Sequence, residues 1–473
     1  MKKLLALVLA LVMSMSLVTI SNAAFKDADK ITADHEEAVE VMSAIGVLVG
    51  DEKQNFNAKD NLTRAQAAKI ISYLLLGNKT AEALAGSGKF TDVAKTSWFA
   101  GFVDYCASTG VVNGVGDGKF DPNGQLTGYQ FAKMLLGALG YDATIQGFTG
   151  ADWQINVSKR ADQADLFDNL DISGNAALTR EQAAQMCLNT LKSPLVEYSN
   201  KGGNLTINGA TINIGASNAE YKTSSTKIAD QTIYANKLNS SAGEYIVEFA
   251  EQYYSDLVLK SGEADDFGRP AHTWLLNNQK VGTYAEDVDY EYTTAVTGKA
   301  LYEALGKNTV ETYDFSVFVD GAEKDAIAKE IAKNNKADLA STGNGVLTQV
   351  FVDNDKETVI ISMVNTYLAK ASADYNSKKD SVSLNIYSTD DGTTKTVDGE
   401  DLAISDIKDG DFLLVTYSYM TGVNKVESIA KPEAIEDSAI DAFKSGKGGN
   451  ITVGGTKYGY NKAAKYDADV LED

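Results

Sequence analysis

Two arginines occupy the same place in a recurring sequence. Residues 62–67 read Leu-Thr-Arg-Ala-Gln-Ala and residues 178–183 read Leu-Thr-Arg-Glu-Gln-Ala, while residues 126–131 between them read Leu-Thr-Gly-Tyr-Gln-Phe. The chain has only four arginines, Arg64, Arg160, Arg180 and Arg269, and two of the four serve this motif. Arg64 and Arg180 fall at the first position of a helix, where a cation opposes the positive end of the helix dipole. A helix start offers free N–H groups to an anion. Arginine adds a planar fork that matches a carboxylate or phosphate. One reading is an anion site formed at helix starts between repeats. The other is an ion pair to a neighbouring acid that ties the repeats together, and the residues alone favour neither.

Other chemistry finds little support. His35 and His272 are the only histidines, which excludes a His-rich metal site or a pair of histidine bases. Cys106 and Cys187 are the only cysteines. Phe99, Phe102, Val103 and Cys106 follow helical spacing, and Cys187 takes the place of Leu135 one repeat earlier, so both thiols read as reduced core residues. Acidic turns occur at Asp353/Asp355, Asp390/Asp391 and Asp409/Asp411. They lack the spacing of a calcium loop, which leaves structural calcium without a supporting motif, and they read as solvated turn acids. No nucleophile elbow, phosphate loop or Cys/His pattern is present, and no catalytic or metal residue is assigned.

The elements that position the arginines are repeats. Copies one and two align at an offset of 64: Gly46 matches Gly110, Gly50 matches Gly114, Phe56 matches Phe120 and Thr63 matches Thr127. Copy three is shorter, with Thr179 following Thr127 by 52 and Trp153 following Trp98 by 55. Each copy reads as helix, glycine-containing turn, short loop, helix. Thr63, Thr127 and Thr179 are candidate N-caps, and Gln66, Gln130 and Gln182 complete a capping box each time. Apolar faces such as Phe131, Met134, Leu135 and Ala138 then require the copies to pack on one another.

Residues 25–192 resemble three S-layer homology repeats. The resemblance rests on Phe90-Thr91-Asp92-Val93, Trp98, Gly110-Val111-Val112, Gly118-Lys119-Phe120-Asp121-Pro122 and the Leu-Thr-Arg motifs. It implies a three-lobed all-α prism that binds secondary polymers of the bacterial cell wall, often bearing pyruvate ketals. A ketal carboxylate is an anion of the kind the arginine argument asks for. The resemblance makes Arg64 and Arg180 anion binders and places Asp92, Trp98 and Trp153 in a ligand groove. A tryptophan face is a good sugar platform, although core anchoring is the plainer role for it. Copy two departs from the pattern with Gly128 where arginine is expected. Copy one has Asp34 where alignment expects tryptophan, and copy three lacks the glycine-rich loop.

The N-terminus reads as an export signal. Lys2 and Lys3 precede an apolar run from Leu4 to Ile20, and Ser21-Asn22-Ala23 is a small-x-small cleavage site. No retained transmembrane helix is expected. A formal charge of −22 excludes nucleic acid and anionic lipid as natural partners. The expected domains are the signal peptide 1–23, repeats at 24–86, 87–143 and 144–195, a mainly-β surface region at 196–430, and a linker with the start of a second, incomplete β module at 431–473.

In that β region, Val346–Val352, Asp353-Asn354-Asp355-Lys356 and Glu357–Val364 read as a hairpin. Thr297–Leu305 and Lys324–Lys333 read as helices. Lys201-Gly202-Gly203-Asn204-Leu205-Thr206-Ile207-Asn208-Gly209 recurs as Lys447-Gly448-Gly449-Asn450-Ile451-Thr452-Val453-Gly454-Gly455. If this second repeat is real, the chain reads as a truncated product, or its last strands pair with another molecule through an open edge. Residues 447–473 are then expected to be either mobile or docked on the preceding domain by strand addition, and Ile451, Val453, Tyr458 and Tyr460 at strand spacing favour docking.

The whole therefore reads as a multidomain α plus β protein, secreted and held at the cell wall. It is expected to be non-catalytic and cofactor-free. Its partners would be pyruvylated or otherwise anionic wall polymer and further copies of itself in a surface lattice. A wall-anchored enzyme or adhesin, with its activity in residues 196–473, is the alternative.

Overall fold

The computed structural model describes residues 25–461 apart from 172, 174, 208–209, 227–237, 240–242, 333–335, 380, 388–392, 399–405, 420–424, 433–439 and 445–449. The expected signal peptide and the Asp390/Asp391 pair lie outside the described residues.

The N-terminal region is helical: α1 (Glu36–Ala44), α2 (Arg64–Leu76), α3 (Asn78–Ala81), α4 (Ala100–Ser108), α5 (Gly128–Ala138), α6 (Trp153–Gln163) and α7 (Arg180–Lys192). All three expected capping boxes are formed, by Thr63 with Gln66, Thr127 with Gln130 and Thr179 with Gln182. Each satisfies helix-start N–H groups that would otherwise lack a partner. Gly77 ends α2 at a positive φ of +73°, which glycine adopts without strain.

The helices pack across copies. α4 lies on α2, α6 lies on α5, and α1 closes the circuit on α7. The segments before the three second helices meet at the centre. There the Leu62 amide donates to the Leu178 carbonyl at 2.8 Å, the Leu178 amide to Leu126 at 2.8 Å, and the Leu126 amide to Leu62 at 2.9 Å. Three backbone hydrogen bonds thus form a closed ring, and the three leucine side chains are buried. A cyclic arrangement satisfies each short extended segment on both sides, which no two copies could do alone.

The chain divides into two compact units, Ala23–Lys260 with Thr273–Gly282, and Ser261–His272 with Thr283–Asp473. In the first unit the helices are followed by short strands, among them the hairpin Gly203–Ile207 with Ala210–Ile214. The fully buried Trp274 donates its indole N–H to Glu37 Oε1 at 2.6 Å, and Lys192 pairs with the same carboxylate at 3.5 Å.

The second unit is built on two five-stranded sheets. In the first, the order is Tyr290–Tyr292, Val346–Asp353, Thr358–Asn365, Asp314–Val319, Ala322–Glu323. The expected hairpin is present as Val346–Asp353 against Thr358–Asn365. Asp314–Val319 pairs with Thr358–Asn365 in parallel. The expected helices form over Gly298–Leu305 and Asp325–Ala332, and Leu301, Ile327 and Ile331 pack into a core with Val346, Val350 and Ile361. The second sheet runs Thr393–Asp398, Ser381–Tyr387, Tyr367–Ala371, Phe412–Ser418, Lys425–Ala430, all antiparallel. Its buried face carries Ala369, Leu384, Leu413 and Val415. The fold is therefore α plus β.

The described parts of the two Lys-Gly-Gly-Asn signatures lie in antiparallel hairpins, since Asn450–Val453 pairs with Thr456–Gly459 just as Gly203–Ile207 pairs with Ala210–Ile214, while residues 447–449 lie outside the described residues. The second hairpin turns through Gly454 and Gly455 at φ +56° and +78°, the turn that matches strand twist. It is docked, as favoured above, but by another route than strand addition to the preceding domain's sheet. It pairs with its own neighbour Ile440–Lys444, buries Ile451 and Val453, and the following Asn461 donates to the Thr366 carbonyl at 2.7 Å.

Candidate functional site

The two arginines act on the neighbouring repeat's loop. Arg64 donates from Nε to the Phe120 carbonyl at 2.9 Å and from Nη2 to the Asn113 carbonyl at 3.0 Å. Arg180 makes the matching pair, to Phe56 at 2.9 Å and Val49 at 3.0 Å. Each guanidinium also lies over the ring of the same phenylalanine, at 4.6 Å for Arg64 on Phe120 and 5.0 Å for Arg180 on Phe56. Desolvation lowers both guanidinium pKa values, and nearby acids, Asp121 and Asp92 for Arg64 and Asp60, Asp27 and Asp51 for Arg180, oppose the shift.

The helix starts themselves are occupied by the neighbouring repeat. The N–H groups of Arg64 and Ala65 are not free for an anion, because they donate to the Gly124 and Pro122 carbonyls at 3.0 Å. Those of Arg180 and Glu181 donate to Asp60 and Ala58 at 3.0 and 3.1 Å. Nor does either arginine form an ion pair with a carboxylate among the described residues. The repeats are tied by main-chain carbonyls, which carry no pattern in the sequence. One edge of each fork is spent on this, and Nη1 remains without a hydrogen-bond partner among the described residues.

Asp92 accepts from the Phe120 and Asp121 amides, both at 2.8 Å, and so holds the loop that Arg64 grips. Slight burial raises its pKa, but the two amides prevail and hold it below the usual carboxylate range. The sequence reading missed its counterpart. Asp27 accepts from the Phe56 and Asn57 amides at 2.6 and 2.8 Å, under the loop gripped by Arg180. The signal was Phe25-Lys26-Asp27 set against Phe90-Thr91-Asp92, and both phenylalanines stack near the loop phenylalanine, at 5.2 and 5.5 Å.

The tryptophans differ in burial. Trp98 is 59% exposed and so is no core anchor, while Trp153 is half-buried. Each has a lysine at its ring, Lys69 at 5.9 Å from Trp98 and Lys133 at 5.6 Å from Trp153. Lys69 and Lys133 are also related by the offset of 64. These lysines were overlooked because lysine is common in the chain. A fourth contact is peculiar to copy three. Buried Glu181 accepts from Lys59 at 2.5 Å and from the Thr32 amide and hydroxyl at 3.0 and 3.1 Å.

The cysteines are buried and unpaired. Burial pushes the Cys106 thiol up to about 12 and raises the Cys187 thiol as well. The acidic turns hold their own loops: Asp353 accepts from the Asp355 and Lys356 amides, and Asp411 from the Lys408 amide.

Residues 24–68 and 89–132 match the S-layer homology domain family. These segments are S-layer homology repeats, as in proteins of the cell surface. Over 193 residues, 41% of this chain and 18% of the relative, it is 30% identical to a middle cell wall protein of Brevibacillus brevis. It is 24% identical to a surface layer protein of Brevibacillus choshinensis across all of this chain and 48% of that one. A further match, 27% identical, joins 34% of this chain to 16% of the endo-1,4-beta-xylanase A of Thermoanaerobacterium saccharolyticum. The chain thus spans less than half the length of each of these proteins. Among its described residues no helix is long and apolar enough to cross a membrane.

Proposed function

We propose that the three repeats, at 24–86, 87–143 and 144–195, close into a three-lobed prism that holds anionic secondary wall polymer in the clefts between them. Arg64, Arg180, Asp92, Trp98 and Trp153 line or shape those clefts. The polymer's anion, a pyruvate ketal in this reading, meets the outer edge of the arginine fork, and sugar rings lie on the tryptophans. Residues 196–430 form a non-catalytic β-rich surface region that takes part in a lattice of copies, and residues 431–473 begin a further β module. The observation that carries the reading is repetition: twice an arginine grips the next repeat's loop with an aspartate beneath that loop, and twice a lysine lies at a tryptophan ring.

The test is cosedimentation of the exported chain with purified walls, before and after mild acid removal of ketals. Binding that vanishes with the ketals supports the proposal, and binding that survives their removal sinks the anion reading. The likeness to a xylanase favours a second reading, an anchored enzyme, for which release of reducing sugar from a polysaccharide is the deciding observation.

A further inference from the structure

Arg160 is the one arginine of the helical region that grips no neighbouring repeat's loop. It stands in the last turn of α6, and among the described residues no carboxylate lies at ion-pairing distance from it, in a chain of formal charge −22. Its Nη2 donates to Gln146 Oε1 at 2.9 Å, and its guanidinium lies 5.2 Å from the centre of the Tyr141 ring. Gln146 in turn donates from Nε2 to the Tyr198 hydroxyl oxygen at 3.0 Å, and the Asp142 amide donates to the same oxygen at 3.1 Å. Lys201 Nζ lies 5.9 Å from the Tyr198 ring. These contacts string two cations, an amide and two tyrosines into one patch, and Gln146 is the positioning residue between Arg160 and Tyr198.

The backbone holds the patch together. The Val196 amide donates to the Leu139 carbonyl at 2.9 Å. A Cβ on Gly140 would lie 2.3 Å from the Val196 carbonyl oxygen, so only glycine, here at φ +104°, lets the strand come so close to the loop that carries Tyr141 and Asp142. Val196 pairs with Tyr221 and Glu197 with Glu220. Strand alternation therefore sets Val196 and Tyr221 on one face and both glutamates on the other. Tyr221 is exposed on its face.

Donors outnumber acceptors here. The Tyr198 oxygen already accepts twice, so its own proton is left to donate outward, and no acceptor for it stands among the described residues. Arg160 has further N–H groups beyond those that meet Gln146 and Tyr141. Lys201 makes only a long contact of 4.0 Å with Asp142 Oδ2, and Asp142 Oδ1 is spent on the Thr144 and Ile145 amides at 2.9 and 3.1 Å. Outward N–H and O–H groups beside an exposed ring suit a ligand that joins an anion to a flat apolar face. An acidic sugar has both.

We propose that Arg160, Tyr198, Lys201 and Tyr221 form a separate saccharide site, for a sugar that carries a carboxylate or a phosphate. The anion meets Arg160, Lys201 and the Tyr198 hydroxyl, and the sugar ring lies on Tyr221. None of these residues takes part in the Arg64 or Arg180 contacts, so the site is independent of the proposed wall clefts.

The experiment is calorimetric titration of the full exported chain with methyl glucuronoside, methyl glucoside 6-phosphate and uncharged methyl glucoside. None carries a pyruvate ketal, so the readout is separate from ketal-dependent wall binding. An acidic glycoside should bind at one site per chain and the uncharged one should not, and the tighter of the two acidic probes identifies the anion. Arg160→Gln should weaken that binding about tenfold, the loss of one charge-assisted hydrogen bond. Tyr221→Ala and Lys201→Gln, both at exposed positions, should each weaken it about threefold. Thermal melts of each variant separate loss of binding from loss of fold. Binding of neither acidic probe, equal binding of the uncharged glucoside, or wild-type binding by both Tyr221→Ala and Lys201→Gln would overturn the proposal and leave ketal-dependent wall binding untouched.

Discussion

The Nε of Arg180 donates to the carbonyl of Phe56, 2.9 Å away and 124 residues earlier in the chain. This bond brings the last repeat back to the first, and Arg64 makes the same bond between the first and second. An arginine that grips two carbonyls and covers a ring cannot be replaced by a point charge. Arg64→Lys and Arg180→Lys should each lower stability by about 1–2 kcal/mol, since one carbonyl loses its donor. Urea midpoints measure the loss, and unchanged midpoints would show that the clamp contributes nothing.

The leucine ring predicts a shared penalty. Leu62→Ala, Leu126→Ala and Leu178→Ala each open a cavity at a fully enclosed centre, and each should cost about 2–5 kcal/mol. The three costs should be similar because the ring treats the copies alike. Denaturant unfolding of the three variants checks this, and a cost near zero for any one would break the equivalence.

Glu181 makes the helical region sensitive to acid. Burial raises its carboxyl pKa, but His35, with Nδ1 3.8 Å away, and the hydrogen bonds from Lys59 and Thr32 prevail and bring it down to about 2. A folded value below the unfolded one means stability that is present above about pH 4.5 and is lost as pH falls towards 2. Melting temperature against pH should show this fall, and Glu181→Gln should flatten it. An equally steep fall in the variant would assign acid sensitivity elsewhere.

Asp320 in the β-rich unit is a test of buried polarity. It accepts from the Asn365 amide at 2.8 Å, the Asn365 side chain at 2.9 Å and the Tyr367 hydroxyl at 2.6 Å. Burial nonetheless pushes its carboxyl up to about 6. Because the folded value lies above the unfolded one, this group favours folding most at low pH, and that contribution fades as pH rises through 6. Asp320→Ala leaves three donors without an acceptor and should cost about 2–4 kcal/mol by denaturant unfolding. A change below 0.5 kcal/mol, roughly the scale of a surface substitution, would contradict it.

Cys106 and Cys187 should label only after unfolding, since both are enclosed and burial keeps their thiols protonated. Intact mass after alkylation in denaturant without reductant should show two adducts, and in native buffer none. Absence of adducts in denaturant would mean a disulfide.

Local chemistry was legible because it is decided by neighbours in sequence. Thr and Gln three residues apart cap a helix wherever it lies, so all three second helices could be started correctly. Alternating Val, Ile and Thr around Asp353-Asn354-Asp355-Lys356 likewise specified a hairpin before any partner was known. The offset of 64 aligned the copies, and the family resemblance followed from residues quoted along the chain. What the arginines touch was decided only in three dimensions. Their partners are main-chain carbonyls, which every residue has, so no residue type marks them. Gln146 and Glu82 are related by the offset of 64, yet only the fold brings Glu82 onto Lys69. The sequence determined that this protein repeats a helix-start motif and joins it to β structure. The tertiary structure decided that the motif's cations serve first to bind repeat to repeat, because loop carbonyls of the next repeat need donors and each arginine supplies them across the chain.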